Sequence, residues 1–319
     1  MKKLTVRIFT CVFTLFILAQ SVHAEELIPV GQVIGLELGC GYLSVADFEE
    51  NSPAKAAGLQ AGDRILKLDG SAVSSMEDMR RGLTCSDGTV ELTVLRNGKE
   101  KSFRICPSIT AQGPKLGLYL QQSISGVGTV TYYDPEEKTF AALGHGVNTQ
   151  DGQLVEMVEG NAYNAKVDSV RKGKIGEPGQ LMGALTAKVP IGPLTKNTPQ
   201  GIFGTCRQGF GGQLIPTAET HEIKTGAATI RSTIEGMAVQ EYSVEILKVY
   251  PDSSATGRNL LLKVTDDRLL STTGGIVQGM SGSPIIQDGK LVGAVTHVLV
   301  NDPTTGYGIF IENMLEAAS

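Results

Sequence analysis

From residue 128 to residue 298 the chain is a succession of short apolar segments separated by glycine-containing turns, and this pattern most constrains its fold. The segments 128–133, 138–143, 244–250, 260–264 and 291–298 are rich in the aliphatic and β-branched residues that favour strands. The 39 glycines in 319 residues supply the turns that many short strands need. The pattern predicts an all-β barrel or sandwich, with a helix only at the tail over 312–318.

Residues 28–108 form a separate small module in front of this region. The segment 52–57 begins Ser-Pro and predicts a short helix whose cap and first position those two residues fill. Ser74 or Ser75 is expected to cap a second helix that ends near Leu83.

Within that module, the run Ser-Pro-Ala, Ala-Gly-Leu, Gly-Asp-Arg-Ile-Leu and Asp-Gly between residues 52 and 70 resembles a PDZ domain. The resemblance implies a peptide groove between a strand and the second helix. In that groove, the backbone N–H groups of Leu36, Glu37 and Leu38 would receive a chain terminus or an extended segment by β-addition.

The hexapeptide 279–284, Gly-Met-Ser-Gly-Ser-Pro, is the candidate catalytic motif. A serine hydroxyl needs a base and an oxyanion site to act as a nucleophile. A tight glycine-flanked turn would hold Ser281 forward, with the N–H groups of Gly279 and Ser281 pointing into one small space. The motif resembles the Gly-x-Ser-Gly-x-Pro turn of chymotrypsin-like serine peptidases, and the alternative is an ordinary Gly/Ser turn in an all-β domain.

Four histidines are candidates for the base. His145 lies between two glycines directly after a strand, which leaves its imidazole accessible, and it comes from the opposite end of the β region to Ser281. His297 lies on the strand that follows Ser281 and would line the pocket or pack inward. His221 lies in a polar surface stretch, and His23 in the leader. We therefore assign His145 as the base.

Two adjacent aspartates follow the apolar strand 260–264 and are candidates for the acid that orients the base. An aspartate that accepts the Nδ1–H of His145 would fix its tautomer and stabilise the imidazolium. Asp266, 15 residues before Ser281, is the first choice, and Asp267 is its substitute.

Residues 1–24 are predicted to direct export. Lys2, Lys3 and Arg7 precede an apolar run, and Val-His-Ala at 22–24 is a plausible cleavage site. A cleaved signal peptide and a retained N-terminal membrane anchor both stay open.

Charge and cysteine spacing exclude several classes of function. The net charge of −5 gives no electrostatic basis for nucleic-acid binding. No Cys-x-x-Cys pair is present, so no zinc site is expected, and nothing indicates a metal or an organic cofactor.

Three further segments carry a more specific resemblance: Leu-Gly-His-Gly at 143–146, the long run 274–298, and 301–308. Together with a PDZ module that precedes the peptidase, the reverse of the order in high-temperature-requirement proteases, they resemble the stage IV sporulation protein B (SpoIVB) peptidases. The family implies a mainly β chain in which a PDZ domain precedes a chymotrypsin-like double β-barrel over 109–319. Its catalytic order of His, Asp and Ser gives His145, Asp266 and Ser281.

The resemblance also implies a biological role. Family members are released from the forespore into the space between the two membranes, cleave themselves, and cut a membrane-bound inhibitor of the protease that matures sigma-K. Here the PDZ-like module follows the leader almost directly, whereas relatives can carry a longer segment between them. Two other functions stay open: a PDZ-containing scaffold without proteolytic activity, and an exported peptidase with a substrate unrelated to sporulation.

Overall fold

The computed structural model describes residues 25–86, 88–149, 152–251 and 257–319, so the predicted leader at 1–24 lies outside the described residues. Within these ranges the chain forms twenty strands, four α-helices and one 3₁₀ turn at Thr220–Glu222. The strands are β1 (Glu26–Pro29), β2 (Val33–Phe48), β3 (Arg64–Leu68), β4 (Ser71–Ala72), β5 (Val90–Arg96), β6 (Lys99–Ile105), β7 (Ser108–Thr110), β8 (Gly113–Lys115), β9 (Leu118–Asp134), β10 (Thr139–Ala142), β11 (Met157–Arg171), β12 (Gln180–Thr198), β13 (Gly201–Thr205), β14 (Ile215–Pro216), β15 (Gly226–Thr233), β16 (Val239–Val249), β17 (Leu260–Val264), β18 (Pro284–Gln287), β19 (Lys290–Leu299) and β20 (Asp302–Phe310). The helices are α1 (Pro53–Ala56), α2 (Met76–Cys85), α3 (Asp267–Thr273) and α4 (Ile311–Ala318). None of the helices in the described ranges is long and apolar enough to cross a bilayer.

The first barrel is a ring of six antiparallel strands in the order β2, β9, β10, β13, β12 and β11, closed by the pairing of β11 with β2. Its interior is filled by alternating apolar side chains such as Ile34, Phe140 and Ile202, each at most 1% exposed. Closure of the ring pairs each strand on both edges over part of its length.

The second barrel also has six antiparallel strands, in the order β15, β16, β17, β20, β19 and β18, and β18 closes it by pairing with β15. Ile230, Leu262 and Val295 are fully buried inside it. The predicted double β-barrel is therefore confirmed, and the helix predicted over 312–318 corresponds to α4.

The PDZ-like unit contains α1, α2, β3 to β6 and the second half of β2. Its two predicted helices are present: Ser52 caps α1 by accepting from the Lys55 N–H, and Ser75 caps α2 by accepting from the Asp78 N–H. A separate apolar core forms beneath them, with Leu43, Leu92 and Val94 fully buried.

The peptide groove predicted at Leu36, Glu37 and Leu38 is wrong. These residues lie in the middle of β2, where β9 pairs along one edge and β11 along the other. A strand whose two edges are already paired cannot accept a third strand. The backbone does not turn back after residue 39, as it would in the hairpin of a PDZ domain. The first half of β2 instead closes the first barrel.

Chain segments cross the predicted division between 28–108 and 109–319 in both directions. The first half of β2 joins the barrel, and the start of β9, residues 118–121, pairs with residues 44–48 beside the PDZ-like core. Leu116, Leu118 and Leu120 pack into that core. Strands β2 and β9 therefore run through both the PDZ-like unit and the first barrel.

Candidate active site

A cavity of about 480 Å³ lies between the two barrels and contains the side chains of His145 and Ser281. His145 follows β10 of the first barrel, and Ser281 lies in the turn before β18 of the second. Most of the remaining lining is apolar, and none of the described lining residues carries a carboxylate. The other described lining residues are Leu36, Leu38, Ile124, Ser125, Gly126, Val127, Leu143, Gly146, Val147, Asn148, Ile276, Val277, Gln278, Gly279, Thr296, His297 and Val298. The cavity therefore suits an uncharged, aliphatic stretch of polypeptide.

Thr129 of β9 holds the serine turn against the first barrel. Its N–H donates to the Ser281 carbonyl oxygen at 3.0 Å, and its hydroxyl donates to the Gly279 carbonyl oxygen at 2.8 Å. Gly279 and Gly282 have φ values of 99° and 96°, which side chains rarely adopt. These contacts fix the turn so that its carbonyl groups face β9.

With those carbonyl groups turned towards β9, the N–H groups of Gly279 and Ser281 make no hydrogen bond within the described part of the chain. Both donors are available to a ligand in the cavity, as an oxyanion site requires. Their assignment as oxyanion donors stays a prediction.

The hydroxyl of Ser281 does not point at His145. It donates to the Thr296 carbonyl oxygen at 2.8 Å. The Nδ1 atom of His145 lies 2.9 Å from the Gly146 carbonyl oxygen, so in the tautomer with a proton on Nδ1 that carbonyl orients the ring and Nε2 is the free base. Rotation of the Ser281 side chain is needed before His145 accepts its proton.

Two imidazoles face each other in the cavity, with the ring centres of His145 and His297 5.2 Å apart. Burial lowers the pKa of His145 despite its hydrogen bond to Gly146. Burial, followed by the nearby His145 and Arg258, lowers the pKa of His297 to about 4. Both rings are therefore neutral near pH 7, and a neutral imidazole is the form that accepts a proton.

The assignment of Asp266 as the acid that orients His145 is wrong in this structure. Asp266 is the N-cap of α3, where it accepts from the N–H groups of Arg268 and Leu269, and it also accepts from the Ser243 N–H at 3.2 Å. The Arg268 guanidinium bonds both carboxylate oxygens, and this contact is the main reason that the pKa of Asp266 falls to about 2. Neither Asp266 nor its substitute Asp267 lines the cavity.

We expect Asp266→Asn to keep kcat/KM for peptide hydrolysis within about threefold, because an asparagine still caps α3. Asp266→Ala should lower the free energy of unfolding by about 1–2 kcal/mol, since the cap is lost. The depressed pKa of Asp266 stabilises the fold above pH 3.8, and this contribution is lost as the pH falls through about 2. A loss of about 10⁴-fold in kcat for Asp266→Asn, at an unchanged Tm, would contradict the structural role.

Helix α3 was not predicted from the sequence, although the residues that favour its start and its end are present. Asp266 precedes an acidic first turn, and Gly274 ends the helix with a φ of 77°. Thr129, which holds the serine turn, carried no local signal, because only the packing of the two barrels brings it beside Ser281.

Comparison with known proteins gives two matches to family models. The SpoIVB peptidase S55 model matches residues 112–315, and a PDZ domain model matches residues 29–106. A protein described as a zinc metalloprotease from Agrobacterium fabrum is 37% identical over 86 residues, which are 27% of this chain and 23% of that protein. A DegP-like periplasmic serine endoprotease of Pseudomonas fluorescens is 30% identical over 134 residues, 39% of this chain and 28% of that protein. The chain thus spans about a quarter of the length of these curated relatives.

Among solved structures, the active form of the Rv3671c protease from M. tuberculosis is similar to 61% of this chain and 73% of its own, with 16% identity and a TM-score of 0.37. The S55 model covers the whole second barrel and every strand of the first barrel except β2, and it includes the segments that carry His145 and Ser281. The chain therefore belongs to the SpoIVB peptidase S55 family of serine peptidases, and a PDZ domain precedes its peptidase region.

Proposed function

We propose that the chain is a serine endopeptidase in which Ser281 attacks the peptide carbonyl and His145 takes and returns the proton. The observation that carries this proposal is that two barrels each contribute one of these side chains to a single cavity, beside two free N–H donors. The Gly146 carbonyl, in place of a carboxylate, sets the tautomer of His145.

The reaction follows from these positions. Ser281 releases its bond to Thr296 and passes its proton to His145 as Oγ bonds to the carbonyl carbon. The N–H groups of Gly279 and Ser281 receive the oxyanion, and each such donor contributes about 3–4 kcal/mol to the transition state. His145 then protonates the leaving amine, and water hydrolyses the acyl enzyme by the same steps in reverse order.

We further propose the biological role that the family resemblance implies. The protein would be exported from the forespore to the intermembrane space, with its N-terminal segment cleaved or retained as an anchor. There it would process itself and cut a membrane-bound inhibitor of the protease that matures sigma-K. The family match supports this role, and an exported peptidase with another substrate is the alternative.

Labelling with a fluorophosphonate probe tests the catalytic part of the proposal. We expect the probe to modify Ser281 in the folded protein, because only an activated serine attacks it. Ser283→Ala is the matched control: Ser283 lies two residues away, and its hydroxyl is occupied by Ser232 at 3.1 Å. Labelling should persist in that control and disappear in Ser281→Ala. Folded wild-type protein that stays unlabelled would favour the PDZ scaffold without proteolytic activity.

A further inference from the structure

Strand β9 extends from the PDZ-like unit to the catalytic cavity and has one free edge. Along the other edge it pairs with β2. On the free side β10 pairs with it only from residue 130 onwards, while β1 extends the edge that β2 occupies, so within the described chain residues 118–127 have no strand partner on the free edge.

Within the described ranges three successive backbone N–H groups, two just before β9 and one at its first residue, are unpaired. The Glu49 N–H bonds the Gly117 carbonyl across the Phe48–Leu118 pair, and this pattern turns the N–H of Leu118 away from β2. The N–H groups of Leu116 and Gly117 make no hydrogen bond within the described ranges. Gly117 has a φ of 70°, so these groups form the kind of concave donor site that holds a carboxylate.

Helix α2 lies alongside this part of the strand. The Gln122 side chain donates to the carbonyl of Ser74, just before the helix, at 3.3 Å. Leu118 and Leu120 pack into the same apolar core as Met79 of the helix. The groove predicted in the PDZ-like unit therefore lies between α2 and the start of β9, at a different strand from the one expected.

At the other end, the same edge of β9 meets the serine turn. The N–H of Thr129 bonds Ser281, and its carbonyl oxygen accepts from the Leu143 N–H at 3.2 Å, so both groups point away from β2. Backbone groups alternate along a strand, so those of Val127 face the same side and open into the cavity. Between residues 121 and 123 the register of β9 with β2 shifts. A polypeptide bound to the free edge would therefore pair with it in two short ladders, one on each side of the shift.

The geometry of β9 sets the direction and the length of a polypeptide that pairs with its free edge. A polypeptide that pairs antiparallel with β9 has its C-terminus at residues 116–118 and an earlier part beside Ser281. The stretch from Leu118 to Val127 is about 30 Å at roughly 3.3 Å per residue, which corresponds to about nine residues of an extended partner.

We propose that a substrate with a free C-terminus pairs with the free edge of β9, its carboxylate bound by the N–H groups of residues 116–118, and that Ser281 cuts it about 8–11 residues before that terminus. The proposal rests on the proposed function of Ser281. The step is hydrolysis: the peptide C–N bond breaks, water supplies OH to the acyl group and H to the amine, and a short C-terminal peptide leaves. The substrate class is therefore an extended protein tail that is aliphatic at the cut and ends in a free carboxylate.

The test uses synthetic fluorogenic peptides with one aliphatic cleavable stretch and a C-terminus placed 4, 9 or 16 residues after it. Each peptide is made as the free acid and as the C-terminal amide. We expect kcat/KM to be highest for the nine-residue acid, about tenfold above its amide and above the other two acids. Equal rates for acids and amides, or no optimum in length, would overturn this proposal and leave the peptidase intact. If every peptide stays whole and the fluorophosphonate does not label Ser281, the proposed function fails and this proposal fails with it.

A variant of the strand provides a second test. Leu118→Pro removes one of the three N–H donors, and because that donor faces the free edge, the pairing with β2 is kept. Leu118→Val is the matched control that keeps the donor. We expect the acid-to-amide ratio of the nine-residue peptides to fall from about ten to about one in the proline variant only. The ratio is measured within one protein, so a smaller folded fraction does not alter it, and an unchanged ratio would contradict the carboxylate site.

Discussion

Replacing Ser281 by alanine is expected to lower kcat for peptide hydrolysis by about 10⁴- to 10⁶-fold, because the other hydroxyls that line the cavity, those of Ser125 and Thr296, do not lie in the turn that carries the oxyanion donors. The single proton of the Thr296 hydroxyl is already shared between the carbonyl oxygens of Gly257 and Tyr307, at 3.3 and 3.2 Å. The fold should be little affected, since the variant loses only the hydrogen bond to the Thr296 carbonyl, worth about 1 kcal/mol. Single-turnover kinetics with a fluorogenic peptide, beside a Tm measurement, checks both statements.

The same experiment with His145→Ala shows whether the two residues act as a unit. If His145 activates Ser281, each single variant loses nearly the whole effect and the double variant is no slower than either. Losses that multiply would mean that the residues act independently, and they would contradict the proton transfer from Ser281 to His145. This test is necessary because in the structure the Ser281 hydroxyl donates to the Thr296 carbonyl oxygen and not to His145.

The features that sequence predicts well here are those set by neighbouring residues. Ser52 and Ser75 cap helices because a cap is a contact within one turn, and the Gly-Asp-Arg-Ile-Leu run is followed by the strand and turn it indicates. The serine turn was located for the same reason, since its glycines report local backbone geometry. Local signals of this kind were enough to indicate two candidate catalytic residues and an all-β domain, whereas the double β-barrel was implied by the family resemblance.

The two errors have one physical cause, which is that a residue's role was inferred without its partners. Leu38 occupies a strand that fits a PDZ groove, but the first barrel needs a sixth strand and β2 fills that position. Asp266 stands at a plausible distance from Ser281 in the chain, but Arg268, two residues away, competes for its charge and the helix end competes for its oxygens. Neither competition is visible until the long-range pairings are known.

Gly282 is a position at which a single methyl group should severely destabilise the fold. A Cβ placed there would lie 2.0 Å from the Thr129 carbonyl oxygen and 2.5 Å from the Leu143 nitrogen, and both are backbone atoms of the first barrel. The φ of 96° adds strain that any side chain would feel. The clash falls where the two barrels meet beside Ser281, so it opposes the contact on which the cavity depends.

We expect Gly282→Ala to lower the free energy of unfolding by about 4 kcal/mol or more, which for a marginally stable domain means little folded protein. The matched control is Gly289→Ala, since Gly289 also has a positive φ, 77°, but a Cβ there meets nothing within 4 Å. The control should lower the free energy of unfolding by only about 1 kcal/mol, because the unfavourable backbone angle is present without the clash. Urea unfolding of both variants separates the two effects, and a Gly282→Ala protein as stable as the control would show that the barrels are not packed at this turn as the structure has them.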